Sequence, residues 1–593
     1  MCGIIGQISR KHPVDKSVFQ TMRDTLTHRG PDDAASQFFE GGHLALGHRR
    51  LSFLDLSSAG RQPLSNETET LWIVFNGEIY NYLELRSQLE SKGHHFKTQT
   101  DTEVLLHGYE EWGEKILDRL KGMFAFGLLD LERKRLFLAR DRFGIKPLYY
   151  YHSDSEFVFA SELKALLACP EIKRELDPSA VADYLVYRYI PSPKTIWKGI
   201  SKLPPAQMMV LDYENFSTKT KEYWKVLFGN KSLDTQELVE TSGKMMRESV
   251  SIHARSDVEV GSFLSGGYDS SAVVCFLSQA GYRPPTFSIG FEEWGESEHR
   301  YAEIIAKKFE VPFNVTLANS RTLDLLDIMP DVYDEPIADI SILPTWLVSH
   351  DAAKQVKTVM SGEGADELLG GYWWQKKAFG LKSKRGWRDW FSKTSDEEPP
   401  DIVAYYADAM SMGRFDRQEL EKAFCPEYHD QLPVDPDWFY RLHYDPRLSS
   451  FQSIQRLDIK CFMGELVLTK IDRASMANSL EVRVPFLDHE LYEKVLSARE
   501  EKYFRPDVTK FLLHENIKGH FPREIMERPK QGFVGPNEFY MDMKLYHRIL
   551  DESRLVRDGI IREEYLKELF TEIDYWRLWK LAVLEKWYGR WVA

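Results

Sequence analysis

The spacing of apolar residues changes its grammar part-way along this 593-residue chain, and no single sheet or bundle satisfies both halves. In the first third, short apolar runs come in pairs joined by tight polar turns. Leu71–Phe75 runs into Asn76-Gly77, Met123–Leu129 is followed by a turn at Glu132–Arg135, and Leu148–Ser161 turns at Ser153-Asp154-Ser155. Such runs predict hairpin-connected antiparallel strands, while Tyr82–Lys92 and Thr102–Trp112 carry helical spacing. Beyond residue 258 strands and helices alternate instead: Val258–Leu264 strand, Tyr268–Gln279 helix, Thr286–Phe291 strand, Glu298–Lys308 helix, Val311–Leu317 and Lys357–Met360 strands. Alternation of that kind predicts a parallel sheet covered on both faces. From Asp401 onward the pattern is mostly helical.

The expected organisation is therefore two domains, α+β then α/β: residues 1–211, a polar aperiodic linker at 212–235, and 236–593. The stretch Lys382–Pro400, basic then acidic and ending in Pro399-Pro400, reads as an exposed or disordered insertion.

Charge and cysteine usage narrow the function. A net charge of -14 disfavours nonspecific binding to nucleic acid or to an anionic membrane. Cys2, Cys169, Cys275, Cys425 and Cys461 are scattered, odd in number and never spaced as a metal-binding pair. No apolar run approaches the roughly 20 residues that span a bilayer, and the first residues lack the pattern of a signal peptide. A cytoplasmic, reducing setting is the expectation.

Two stretches carry chemistry. Removal of Met1 would give Cys2 a free α-amine, with a pKa near 7.7–8.0, beside its own thiol; such an amine can act as the base for the nucleophile. Downstream come His28-Arg29-Gly30-Pro31-Asp32, Arg50-Leu51-Ser52, Asn76-Gly77-Glu78-Ile79-Tyr80-Asn81 and Asp101-Thr102-Glu103. Asn76 and the unobstructed N–H of Gly77 suit a developing oxyanion. Arg50 suits a substrate carboxylate, and Glu78 and Asp101 suit a substrate ammonium. The second stretch is Ser265-Gly266-Gly267-Tyr268-Asp269-Ser270, where a strand turns into a helix and small residues let backbone N–H groups approach phosphate. It lacks the Gly-Lys-Ser/Thr ending of a Walker A loop. An acidic motif, Ser361-Gly362-Glu363-Gly364-Ala365-Asp366-Glu367, follows the strand ending at Met360.

The first set of motifs, in that order, resembles the glutaminase domain of class II amidotransferases, which implies an αββα N-terminal-nucleophile (Ntn) hydrolase sandwich. There Cys2, Asn76 and Gly77 would be catalytic, with Arg50, Asn76, Gly77, Glu78 and Asp101 holding glutamine and His28–Asp32 closing over it. The second set resembles the PP-loop of ATP pyrophosphatases. That resemblance assigns ATP contacts to Leu264, Ser265, Gly266, Gly267, Asp269, Ser270, Ile289, Ser361 and Gly362, and Mg2+ to Asp269 and Asp366.

With Arg528-Pro529-Lys530-Gln531-Gly532-Phe533, Asp334-Glu335-Pro336, Arg473–Asp488 and Trp579…Leu584-Glu585-Lys586-Trp587, the chain is similar to the glutamine-hydrolysing asparagine synthetases over nearly its whole length. The resemblance implies glutamine, aspartate and ATP as small-molecule substrates, Glu363 and Lys530 as catalytic groups, an ammonia tunnel and a homodimer. Three departures stand out: Tyr268 in place of a leucine, Arg49 beside Arg50, and the Lys382–Pro400 insertion. The same machinery acting on another carboxylate acceptor, with Arg483 as one candidate contact, stays open. A fold retained only for binding and a nucleic-acid-modifying PP-loop enzyme are disfavoured by the paired motif sets and by the charge.

Overall fold

Side-chain alternation along the first strands builds the N-terminal layers. The protein is described by a computed structural model over residues 2–292, 297–380, 401–528 and 535–592. One antiparallel sheet contains β1 (Gly3–Ser9), β2 (Asp33–Phe39), β3 (Leu44–Arg50), β8 (Tyr149–His152), β9 (Glu156–Ala160) and β10 (Ile200–Lys202), in the order β10-β8-β9-β1-β3-β2. A second contains β4 (Leu64–Ser65), β5 (Leu71–Ile79), β6 (Gly122–Asp130), β7 (Arg135–Arg140), β11 (Gln207–Asp212) and β12 (Ser217–Glu222), in the order β12-β11-β7-β6-β5-β4.

Because successive side chains on a strand face opposite ways, Ile4 and Ile8 pack between the sheets with Val74, Leu129, Leu138 and Met209. Ile5 faces outward against Phe19 and Met22 of the first helix and Leu26 just beyond its end. Ile73, Phe75, Phe124 and Phe126 are covered on the far side by Leu85, Leu89, Val104 and Leu105 of two helices. The result is the four-layer αββα sandwich.

The expected linker at 212–235 is not uniformly irregular. Its Ser217–Glu222 stretch is β12, paired with β11 as the edge of the second sheet. An edge strand wetted on both faces needs no apolar alternation, and its lysines discourage further pairing. Hence the sequence shows no period there. The helix Thr235–His253 then begins with the Asp234 side chain accepting from the Glu237 N–H.

The C-terminal unit is built on the parallel strands β13 (Val260–Phe263), β14 (Thr286–Phe291), β15 (Phe313–Ala318), β16 (Thr358–Met360) and β17 (Glu481–Arg483), ordered β15-β14-β13-β16-β17. β17 lies inside the region that reads as helical; its three buried residues are too few to show a period. The chain leaves β13 toward one edge and returns through β16 on the other side. Order therefore reverses between β13 and β16, which opens a crevice at their carboxyl ends. The expected insertion at Lys382–Pro400 lies outside the described residues.

Charges buried between the two units hold them together. Arg29, which is fully buried, donates to Glu162 (2.8 Å) and Asp472 (2.9 Å), and its Nε donates to the Cys2 carbonyl (3.1 Å). Arg473 meets Glu162 at 3.1 Å and also pairs with Asp334. Burial pushes the Glu162 carboxyl up, but Arg473, Lys164 and His28 outweigh it and hold the group well below the usual range. Desolvated ions persist only when every partner is present.

Removing one member should strand another. Asp472→Ala is expected to lower the unfolding free energy by about 3–5 kcal/mol, because Arg29 loses its bidentate partner. Urea denaturation of both proteins measures it; a loss below about 1 kcal/mol would mean that the cluster does not hold the interface.

Candidate active sites

β1 and β5 bring the first set of residues together. The Cys2 backbone N–H donates to Asn76 Oδ1 at 3.0 Å, and Asn76 is fully buried. Among the described residues, Asn76 Nδ2 has no hydrogen-bond partner, so one amide donor stays available inside the site. At Gly77 an added Cβ would fall 2.0 Å from the Met123 carbonyl oxygen, so only glycine fits. Burial pushes the Cys2 thiol up, while neighbours including Arg50 pull it back. A thiol in that state needs a base to become a nucleophile.

Arg50, Glu78 and Asp101 line the same small cavity as Cys2 and Gly77. Arg50 donates to the carbonyls of Ser57 (2.8 Å), Leu54 (3.2 Å) and Asp55, curling the loop after β3 around its guanidinium. Asp101 accepts from the Ile79 N–H at 2.8 Å, and burial pushes its carboxyl up to about 7. Burial also raises Glu78 well above the usual range, against the pull of Arg483 at 3.5 Å. Gln62 also lines the cavity: it donates to Thr102 Oγ1 (3.1 Å) and accepts from the Phe75 N–H (2.7 Å). It sits in no motif, and only the fold places it there.

Several expectations change. His28–Asp32 is a strut between the domains rather than a closing loop: the His28 carbonyl accepts from Ser479 Oγ (2.6 Å), Arg29 is buried in the ion cluster, and Asp32 meets Lys357 (2.7 Å). Arg49 lies on the other side of β3 from Arg50, against Thr27 and 3.7 Å from Asp24, and adds no charge to the cavity. Arg483 is no acceptor contact. It does not line the synthetase cavity: its Nε donates to Glu481 (2.6 Å), its Nη1 to the carbonyls of His253 (2.6 Å) and Arg255 (2.7 Å), and its Nη2 lies 3.5 Å from Glu78.

The second set converges on the crevice at the ends of β13 and β16, a cavity of about 420 Å³. Leu264 to Ser270, Ile289, Ser361, Gly362, Glu363 and Asp366 all line it. Ser270 Oγ accepts from the Ser265 N–H (3.1 Å), closing the loop before the helix Tyr268–Gln279. Gly267 caps that helix without a side chain, which leaves its first N–H groups directed at the cavity mouth. Gly266 has φ +76°, and a Cβ there would strike Ala302 N at 2.5 Å. A Cβ on Gly362 would lie 2.6 Å from Asp269 Cβ, so the two loops touch.

Asp269 and Asp366 share a partner the sequence did not reveal. Lys510 Nζ lies 2.8 Å from Asp366 and pairs with Asp269 as well. Burial disfavours its charge, but the two carboxylates outweigh that and raise it above the usual range. No motif surrounds Lys510. Glu363 Oε2 is buried with no hydrogen-bond partner among the described residues. Tyr268 is more than an apolar substitute for leucine, since its hydroxyl donates to the Met526 carbonyl at 2.6 Å. Lys530 lies outside the described residues.

Comparison with known proteins follows the same division. Residues 1–224 match the glutamine amidotransferase domain family, and residues 243–589 match the asparagine synthase family. Asparagine synthetase [glutamine-hydrolyzing] 1 of Bacillus subtilis is 34% identical over 96% of this chain and 93% of its own length. Asparagine synthetase [glutamine-hydrolyzing] 3 of the same organism is 32% identical over 90% of this chain and 87% of its own. Amidase chry2 of Gibberella zeae is 26% identical over 89% and 86% respectively.

Lys510 supplies a test of the acidic pair. Lys510→Met takes the shared cation from Asp269 and Asp366, and two carboxylates held close together disfavour each other's charged forms. Such repulsion costs stability only where the carboxylates are charged, so the loss grows as pH rises. The variant should therefore match the parent near pH 4 and fall about 2–4 kcal/mol below it at pH 7.5, with millimolar Mg2+ restoring part of the difference. Urea melts at both pH values read this out, and a deficit independent of pH would refute carboxylate repulsion as its cause.

Proposed function

The chain belongs to the asparagine synthase family, and from that premise we propose that it makes asparagine from aspartate, with glutamine as the nitrogen donor and ATP as the activator. The observation that carries this reading is that one chain gathers both sets of motif residues, each around its own cavity. Cys2 lies against Asn76 in the first, and two carboxylates meet beside the phosphate-type loop in the second. Among the described residues no helix is long and apolar enough to cross a membrane.

In the first site, the α-amine of Cys2, freed by loss of Met1, takes the thiol proton, and the sulfur attacks the side-chain amide of glutamine. Negative charge then builds on the amide oxygen. The unpaired Asn76 Nδ2 and the Gly77 N–H suit that oxyanion, and each such donor is typically worth about 3–4 kcal/mol of barrier. The C–N bond breaks, ammonia leaves, and water hydrolyses the thioester to glutamate. Arg50 keeps N–H groups beyond those on its loop carbonyls for the glutamine carboxylate, and Asp101 with Glu78 faces its ammonium.

In the second site, a β-carboxylate oxygen of aspartate attacks the α-phosphorus of ATP, pyrophosphate leaves, and ammonia displaces AMP from the acyl carbon. Ser265, Ser270 and the uncapped helix start suit the phosphates. The site fits Mg2+, because Asp269 and Asp366 already converge on one cationic group, and the ion supplies shielding of phosphate charge when bound. Lys510 would hold pyrophosphate oxygens, and Lys530 would neutralise charge in the adenylyl transfer. Glu363, with its unpaired buried oxygen, is suited to take a proton from the attacking ammonia. The amidase-named relative favours a second reading, in which the same chemistry acts on another carboxylate.

Pyrophosphate release with ATP, Mg2+ and glutamine, with and without aspartate, tests the reading. Aspartate-dependent release with matching asparagine is expected; glutamate formation that ignores aspartate would send the search to another acceptor. Cys2→Ala should abolish glutamine-supported synthesis, by at least about 10³-fold, yet keep ammonium-supported synthesis. Asp101 gives a pH dependence: a carboxyl that titrates at about 7 is neutral below that pH and attracts an ammonium only above it. The KM for glutamine should therefore rise as pH falls through 7, and Asp101→Asn should raise it above pH 7, change it little well below, and so flatten the step.

A further inference from the structure

One wall of the synthetase cavity carries charges that the phosphate chemistry does not use. Asp339 and Ser341, just ahead of the helix Ile342–Ala352, line the cavity together with Lys470. Lys470 Nζ donates to Ser341 Oγ at 2.6 Å and lies 3.8 Å from Asp339, each side chain being 13% exposed. Asp339 also accepts from the Ser341 N–H (2.9 Å) and lies 3.4 Å from Arg188. The backbone is shaped around this spot. Asp458–Val467 runs as a π-helix, a form that is rare and concentrated at functional sites, and it delivers Phe462 and Val467 to the cavity just before Lys470. Tyr372 and Trp374, stacked at 4.2 Å, complete an aromatic side.

A half-buried pair of unlike charges stabilises a fold little better than apolar residues of the same size. At 3.8 Å, with a hydroxyl between them, Asp339 and Lys470 satisfy each other only loosely. An ammonium and a carboxylate on one carbon present the complementary arrangement, with the ammonium to Asp339 and the carboxylate to Lys470 and Ser341.

We propose that Asp339 and Lys470 are the residues that determine acceptor specificity by reading the α-amino-acid head of the acceptor, while its side-chain carboxylate is adenylylated on the opposite wall. The acceptor class is then a zwitterionic α-amino acid with a second carboxylate. This rests on the ATP-dependent carboxylate activation proposed above, and it adds that the other carboxylates of the cell are refused at Asp339 and Lys470.

Two analogues separate the two halves of the head: succinate is aspartate without the α-amine, and β-alanine is aspartate without the α-carboxylate. Pyrophosphate release would be measured for aspartate and both analogues with the full-length wild type, Asp339→Asn and Lys470→Met. Wild type should prefer aspartate over each analogue by at least about 100-fold in kcat/KM. Asp339→Asn should lower the aspartate/succinate ratio roughly 10- to 100-fold and leave the aspartate/β-alanine ratio in place; Lys470→Met should do the reverse. Both losses should appear in the KM for the acceptor, with the KM for ATP unmoved. Lys470→Met keeps the helix and the side-chain length, so it carries the test if Asp339→Asn folds poorly.

Ratios unchanged in both variants, with aspartate still the substrate of the wild type, would overturn the assignment of these residues and leave the proposed reaction standing. A wild type that ignores aspartate and instead activates a carboxylate with no α-amino group would overturn both.

Discussion

The buried cluster Arg29, Glu162, Asp472 and Arg473 is the interaction on which the arrangement of the two sites depends. Its members come from both units, and none is accessible to water that would otherwise solvate it. Ions in such a place are stable only in the geometry that pairs all of them, so the cluster admits one relative placement of the domains. Arg29 also holds the carbonyl of Cys2, which ties the first cavity to that placement. On the other side, Asp472 and Arg473 follow Lys470 along one helix, so the same cluster orients a wall of the second cavity.

A second tie runs through β17. Arg483 links Glu481 and two carbonyls of the chain before β13 to Glu78 of the first site. Its own carbonyl accepts from the Ser361 N–H (2.9 Å), at the start of the acidic loop of the second. The C-terminal helix Tyr575–Trp591 secures the remaining segment. Trp579 donates to the Ala338 carbonyl (3.1 Å) and Trp587 to the Asp334 carbonyl (3.0 Å), pinning the strap that carries Asp339. A positioned strap matters because an ångström of play at a binding group costs affinity and rate.

Within each site the same economy of charge recurs. The first buries carboxylates, and burial lifts Asp101 toward neutrality, so its charge depends on pH. The second stacks acidic groups against one lysine, and that cation draws Asp269 and Asp366 together. The strand order explains why that happens here: reversal between β13 and β16 leaves the ends of both strands uncovered, and the loops that follow them meet across the gap.

Much of this was legible in the residues. The runs around Glu132–Arg135 and Ser153–Ser155 form the hairpins β6–β7 and β8–β9, and the helix Tyr268–Gln279 begins and ends where its spacing places it. Motif order also set Cys2, Arg50, Gly77, Glu78 and Asp101 in one group and the loop residues from Leu264 to Ser270 with Ser361, Gly362 and Asp366 in another, and each group lines one cavity. Local chemistry writes such patterns: strand alternation, turn residues and glycines at close approaches depend on near neighbours. The edge strand β12, the strut at His28–Asp32, and the placement of Lys510, Asp339, Lys470 and Arg483 were not legible. Each is defined by a partner far away in the chain, Arg29 with Asp472 and Lys510 with Asp269 among them. Only tertiary structure decides whether a lysine or arginine is solvated at the surface or is the counter-charge of a buried carboxylate, because the cost of desolvation exists only once the fold has removed the water.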